Sequence, residues 1–189
     1  MPHPRIAAVL LAAGRGMRFG GNKLEAMLHD QMLGFHAAQT LAGLGCGHRF
    51  AIHDPAHGAF ARGLNDLGFT RIDNVAPENG LSHSLALAAN AALGIDATHM
   101  LVCLADMPFV TAQHLNALIG RRSDQIIASA IGNARLPPAL FPRACWPALT
   151  ELTGDAGARP LLQGAIAIQG SPDMLADIDT RADLHRSSQ

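Results

Sequence analysis

Residues 11–23 read Leu-Ala-Ala-Gly-Arg-Gly-Met-Arg-Phe-Gly-Gly-Asn-Lys, a short stretch that interleaves glycines with cations. Gly14, Gly16, Gly20 and Gly21 let backbone N–H groups turn toward an anion and approach it closely. Arg15, Arg18 and Lys23 add formal positive charge beside them. A triphosphate needs both. Two familiar phosphate loops are excluded. A Walker loop requires Ser or Thr after its lysine, and Leu24 follows Lys23. A dinucleotide fingerprint requires a third glycine where Phe19 stands. Taken alone, the stretch also reads as a surface turn with solvated arginines.

The second chemical feature is Leu104-Ala-Asp-Met-Pro108. Asp106 closes an apolar run, and a carboxylate at a strand's carboxyl end can hold Mg²⁺, which prefers oxygen ligands and keeps several waters. Asp106 could equally cap a helix that starts after Thr111. A further cluster, Asp177-Ile178-Asp179-Thr180, puts both aspartates on one face if it is a strand. Alternatively, Asp179 or Thr180 caps a last helix.

The loop matches L-A-A-G-x-G/S-x-R-x-G-x-x-K at Leu11, Ala12, Ala13, Gly14, Gly16, Arg18, Gly20 and Lys23. It resembles the loop of the MobA-like nucleotidyltransferases of molybdenum cofactor biosynthesis. Three further motifs follow in order. Asn79-Gly80-Leu81-Ser82-His83-Ser84-Leu85 resembles a cytidylyltransferase pattern, Gly154-Asp155-Ala156-Gly157-Ala158-Arg159 resembles G-D-x-G-A-R, and residues 177–184 resemble a D-I-D-T-x-x-D-L close. The resemblance is nearest to the molybdenum cofactor cytidylyltransferases.

That resemblance implies transfer of CMP from CTP to molybdopterin, with pyrophosphate released and Mg²⁺ required. It implies that Arg18, Lys23 and Asp106 are catalytic and that Asp106 and Asp179 are the metal ligands. The nucleotide would lie on Leu11, Ala12, Ala13, Gly14, Arg15, Gly16, Arg18, Lys23, Asn79, Gly80, Ser82 and Ser84. The acceptor's phosphate would meet Arg159, oriented by Asp155. Other readings stay open: Ser84 caps the helix that follows, and Asp155 starts a helix after a turn. His83 is the one histidine kept as a site candidate. His53 and His57 are separated by Pro55, so they do not share a helical face.

Ala13 stands where the guanylyltransferases usually have glycine, which narrows the base site toward CTP over GTP. Residues 135–141 depart from the family pattern. Leu136 and Pro137 replace a glycine and a His or Asn, and this leaves the acceptor open. The alternatives are a GTP-using guanylyltransferase relative, a relative with another phosphorylated acceptor, and a non-catalytic nucleotide-binding chaperone for a client molybdoenzyme. Lys23 and Asp106 are expected on solvent-facing loops.

Composition bounds these readings. The 189 residues are 49% hydrophobic and 15% charged, enough apolar material for a core and against disorder. A formal charge of −1 gives no global field for nucleic acid or an anionic membrane. Three widely spaced cysteines, Cys46, Cys103 and Cys145, fit a reducing cytoplasm and no disulfide framework. The apolar run 6–13 is shorter than the roughly 20 residues that span a bilayer.

Elements must carry these motifs. Continuous apolar runs at 6–13 and 100–105 suit central parallel strands, with shorter candidates at 50–52, 126–129 and 166–168. Helical spacing appears at 33–44, 58–67 and 84–93, and Thr111 caps a helix through Ile119. Residues 132–147 are proline-rich and read as an irregular excursion, with room for a short hairpin. The expected fold is a single Rossmann-like three-layer α/β/α domain over 1–189 with a mostly parallel central sheet. Its nucleotide-binding part spans about 1–110 and its acceptor-binding part about 111–189. Such sheets bind ligands at the carboxyl ends of their strands.

Overall fold

A computed structural model describes residues 3–14, 16–56, 58–154 and 157–188. The strands are β1 (His3–Ala12), β2 (Met27–Leu28), β3 (Gln31–Met32), β4 (Cys46–His53), β5 (Thr70–Asp73), β6 (His99–Leu104), β7 (Ile127–Ile131), β8 (Ala134–Pro142) and β9 (Ile166–Gln169). The helices are α1 (Leu33–Ala42), α2 (Gly58–Asp66), α3 (Gly80–Leu93), α4 (Ala112–Gly120), α5 (Trp146–Thr150), α6 (Arg159–Leu162) and α7 (Arg181–Ser187).

Seven strands form one sheet in the order β5-β4-β1-β6-β8-β7-β9. β1 pairs in parallel with β4 and β6, β4 with β5, and β7 with β9. Only β8 runs against its neighbours. The alternation of β1 divides the core. Ala8, Leu10 and Ala12 pack under Ala37 and Leu41 of α1, Phe60 of α2 and Leu118 of α4. Ala7, Val9 and Leu11 pack under Leu85 and Ala89 of α3, Trp146 of α5 and Leu162 of α6. Covering both faces explains why β1 reads as an unbroken apolar run. The architecture is the expected α/β sheet between two helical layers.

Two expectations need correction. The stretch after Gly132 forms the hairpin it left room for, β8 turning back antiparallel on β7, but it is not an irregular excursion, because β8 lies inside the sheet between β6 and β7. Its prolines are accommodated by a shift in register. Ser129 pairs with Leu136 but Ala128 pairs with Ala139, so Pro137 and Pro138 drop out of the ladder. Residues without an N–H donor are tolerated at such bulges.

The second correction concerns Ser84, which does not cap α3. That helix begins four residues earlier, after a 3-10 turn over Pro77–Asn79, with Asn79 at the N-cap position. Ser84 therefore lies in the helix body, where its hydroxyl is engaged from outside the helix. Thr111 caps α4 as expected, accepting from the His114 amide.

Candidate active site

The strand order sets β1 beside β6, with Leu11 opposite Leu104. The amide of Ala105 donates to the Leu11 carbonyl at 3.0 Å and continues the ladder past the strand ends. The glycine loop and Asp106 therefore leave the same edge of the sheet side by side. The segment before α7 joins them through the Ile178 amide, which donates to the Asp106 carbonyl at 2.9 Å.

The residues 177–179 are irregular backbone, not a strand. Thr180 caps α7 in a reciprocal box with Asp183, whose carboxylate accepts from the Thr180 amide. Hydrogen bonds from the Thr180 hydroxyl and from the Thr180 and Asp179 amides hold the Asp183 carboxyl below the usual carboxylate range. Capping falls to Thr180, which leaves Asp179 available to the site.

A small separate cluster fixes the loop. Phe19 packs with Leu28, Leu33 and Ile178, and the Arg181 guanidinium sits 5.2 Å from the Phe19 ring centre. Phe19 and Ile178 are the chain neighbours of Arg18 and Asp179, so one apolar contact brings the two charges together. The loop itself turns on Gly16, whose carbonyl accepts from the Phe19 and Gly20 amides at 3.0 Å each. Gly16 has φ +58°, and a side chain there would run into the Gly21 carbonyl.

Four charged groups converge. Lys23 Nζ donates to Asp106 Oδ2 at 2.6 Å and to Asp179 Oδ1 at 3.0 Å. Arg18 Nη2 lies 2.9 Å from Asp179 Oδ2. The Lys23 side chain is only 8% exposed, whereas that of Arg18 is 77% exposed. Lys23 is thus not on a solvent-facing loop, because the two carboxylates draw its ammonium inward. Burial alone would lower the lysine's pKa, but Asp106 and then Asp179 outweigh it and the net shift is upward. The other Asp106 oxygen, Oδ1, is buried without a partner. An unsatisfied hard oxygen beside a second carboxylate suits a divalent cation.

Two clefts open at this edge and share Leu11, Leu81 and Leu104. The larger, about 470 Å³, is lined by Ala12, Ala13, Gly14, Gly16, Arg18, Lys23, Gly80, Ser84, Asp106 and Asp179. Asn79 is exposed, the Ser82 hydroxyl is buried without a partner, and neither of these residues lines this cleft. His83 lines neither cleft. The smaller cleft, about 200 Å³, has an apolar floor including Val102 and Phe141 and carries Arg135, Arg159 and Asp177. Leu136 and Pro137 form part of its wall.

Arg159 and the segment around Gly157 are tied to α3. The Ser82 amide donates to the Gly154 carbonyl at 3.2 Å, and a side chain at Gly157 would strike Leu81. Burial, with the Asp179 and Asp106 charges, raises the Asp177 carboxyl. Arg135 and Asp177 were not foreseen as cleft residues. Alternation along β8 points Arg135 inward only once the strand is known to exist. Arg15 and Asp155 lie outside the described residues.

The sequence from 8 to 171 matches the model of the MobA-like NTP transferase domain. The chain belongs to that family. Purine catabolism protein PucB of Bacillus subtilis (strain 168) is 30% identical over 194 residues, covering 95% of this chain and 94% of that protein. A nucleotidyl transferase from Methanothermobacter superposes with TM-score 0.80 at 20% identity, covering 96% of this chain and 94% of that one. Rv0371c of Mycobacterium tuberculosis, solved as a complex with manganese, superposes with TM-score 0.74 at 22% identity over 97% of both chains. Membership in this family makes the chain a nucleotidyltransferase in class, with a nucleoside triphosphate as donor. No helix among the described residues is long and apolar enough to cross a membrane.

Proposed function

We propose that this chain transfers CMP from CTP to molybdopterin, releasing pyrophosphate and forming molybdopterin cytosine dinucleotide in the cytoplasm. One observation carries the reading: Lys23 bridges Asp106 and Asp179 at the mouth of the glycine loop, beside a second cleft that is apolar and carries arginines.

The triphosphate lies along Gly14, Arg15 and Gly16, whose amides and charge orient it. An oxygen of the acceptor's phosphate attacks the α-phosphorus, and the bond to the bridging β-oxygen breaks. That acceptor phosphate is already ionised near neutral pH, so no general base is required. Arg18 and Lys23 stabilise the charge that builds on the departing pyrophosphate. Asp106 and Asp179 would hold Mg²⁺, which when bound neutralises charge on the α-phosphate. The manganese in Rv0371c supports a divalent ion of this kind. Arg159, four positions after Asp155, and Arg135 hold the acceptor. Ala13 narrows the base site and favours CTP over GTP.

Leu136 and Pro137 on the wall of the smaller cleft favour a second reading, in which the acceptor is a different phosphorylated molecule with an apolar body. Pyrophosphate release, measured with CTP or GTP against molybdopterin and a panel of phosphorylated acceptors, separates the readings. Release with GTP alone would end the cytidylyl assignment. Release only with other acceptors would end the molybdopterin one.

A further inference from the structure

Asn74 follows β5 directly and is fully buried. Its amide donates to the His53 carbonyl at 2.8 Å, which extends the pairing of β4 with β5 by one residue. Its side chain is fixed in orientation by chemistry. The Ala76 amide, which can only donate, lies 3.0 Å from Asn74 Oδ1. The opposite end, Nδ2, therefore faces Ser84 Oγ at 3.0 Å and donates to it. Flipping the amide would set an NH₂ against an N–H in a partly buried place and leave both donors unpaired.

This leaves the Ser84 proton in want of an acceptor. A serine hydroxyl has one proton and accepts through its lone pairs. Its oxygen is accepting from Asn74, and an amide nitrogen offers nothing to receive the proton. No other hydrogen bond of Ser84 Oγ is found among the described residues. Ser84 is itself 4% exposed and lines the larger cleft with Gly80 and Leu81. The cations of this cleft, Arg18 and Lys23, come from the glycine loop, so the uncharged end of a nucleotide falls to the wall that Ser84 belongs to.

We infer that Asn74 is a positioning residue that occupies one lone pair of Ser84 and leaves the hydroxyl proton for a ligand, and so favours a base presenting an acceptor, cytosine N3 over the N3–H of uracil, against which that proton would stay unpaired. The inference rests on the nucleotide occupying the larger cleft, as proposed above. Asn74→Asp keeps the shape and makes position 74 acceptor-only. The Ser84 proton then turns to the carboxylate, and the serine's lone pairs face the cleft.

The test is calorimetric titration of CTP and UTP, each with Mg²⁺, into wild type, Asn74→Asp and Ser84→Ala. Thermal melts of all three report folding. Wild type should prefer CTP by at least about tenfold, roughly the worth of one matched hydrogen bond. In Asn74→Asp that preference should shrink about tenfold or reverse. In Ser84→Ala it should fall with neither base gaining affinity, which keeps the inference testable if the aspartate variant does not fold. A wild-type preference unchanged in both variants overturns the inference and leaves the CTP reading standing. Failure of wild type to bind either pyrimidine nucleotide overturns both.

Discussion

Lys23 and Asp106 stand 83 positions apart in the chain, and their charged atoms meet at 2.6 Å. The lysine is also shared with Asp179, so one buried ammonium separates two carboxylates that would otherwise repel. Lys23→Ala should therefore do two things. Turnover should fall by at least about 100-fold, the usual consequence of losing one transition-state donor. The variant should also melt below wild type without metal, since uncompensated carboxylates are left in place. Adding Mg²⁺ should raise its melting temperature more than it raises that of wild type. Equal metal responses in the two proteins would show that the ammonium does not shield this pair.

Arg18 makes a contrasting case. Its bridge to Asp179 is short, but its side chain is largely in solvent. Exposed pairs contribute little, about 0–1 kcal/mol. Arg18→Ala should leave the urea midpoint close to that of wild type while lowering kcat by about 100-fold through loss of charge on the leaving pyrophosphate. A large loss of stability would point to a structural role.

Gly16 is the backbone hinge of the loop. Its positive φ and the approach of the Gly21 carbonyl leave no room for a methyl group. Gly16→Ala should cost about 1–3 kcal/mol of local strain and reopen the turn. The expected readout is a weaker CTP affinity by calorimetry, with far-UV circular dichroism unchanged, because the sheet does not depend on this turn. Wild-type affinity in the variant would remove the loop from the binding account.

A buried chain of hydrogen bonds joins α4, β7 and β8. Ser129 Oγ donates to the Pro138 carbonyl at 2.8 Å, so His114 Nε2, also at 2.8 Å, must donate to Ser129. Neutral His114 is satisfied there, and burial lowers its pKa below the ordinary 6.5. The unfolded chain thus takes up a proton near pH 6.5 that the folded chain takes up only at lower pH. Stability from this group is whole above that value and drains away as the pH falls through the folded pKa. His114→Gln should lose less stability than wild type between about pH 7.5 and pH 5, read from urea midpoints. Equal losses would mean that other groups dominate the acid limb.

Much of the fold was legible because burial on both faces writes itself into β1 and β6 as unbroken apolar runs. α1 and α2 were legible from their periodicity, and α4 from its cap at Thr111. β8 was hidden because two prolines look like strand breakers, and only the register shift beside Ser129 shows how they are absorbed. The start of α3 was misplaced because Ser84 is a good cap residue in type. A partner ten positions away, Asn74, had claimed its hydroxyl.

The sequence by itself determined the chemistry available: glycines able to turn their amides to an anion, cations among them, and carboxylates after an apolar strand. These are local properties, set by residue type and near spacing. The tertiary structure decided which of them meet. Lys23, Asp106 and Asp179 converge because β1 pairs with β6 and because Phe19 packs with Ile178. The cleft beside them gains Arg135 only when β8 takes its place in the sheet, and Asp177 from the segment before α7. Contacts between distant segments depend on strand order and register, which no short window of residues contains.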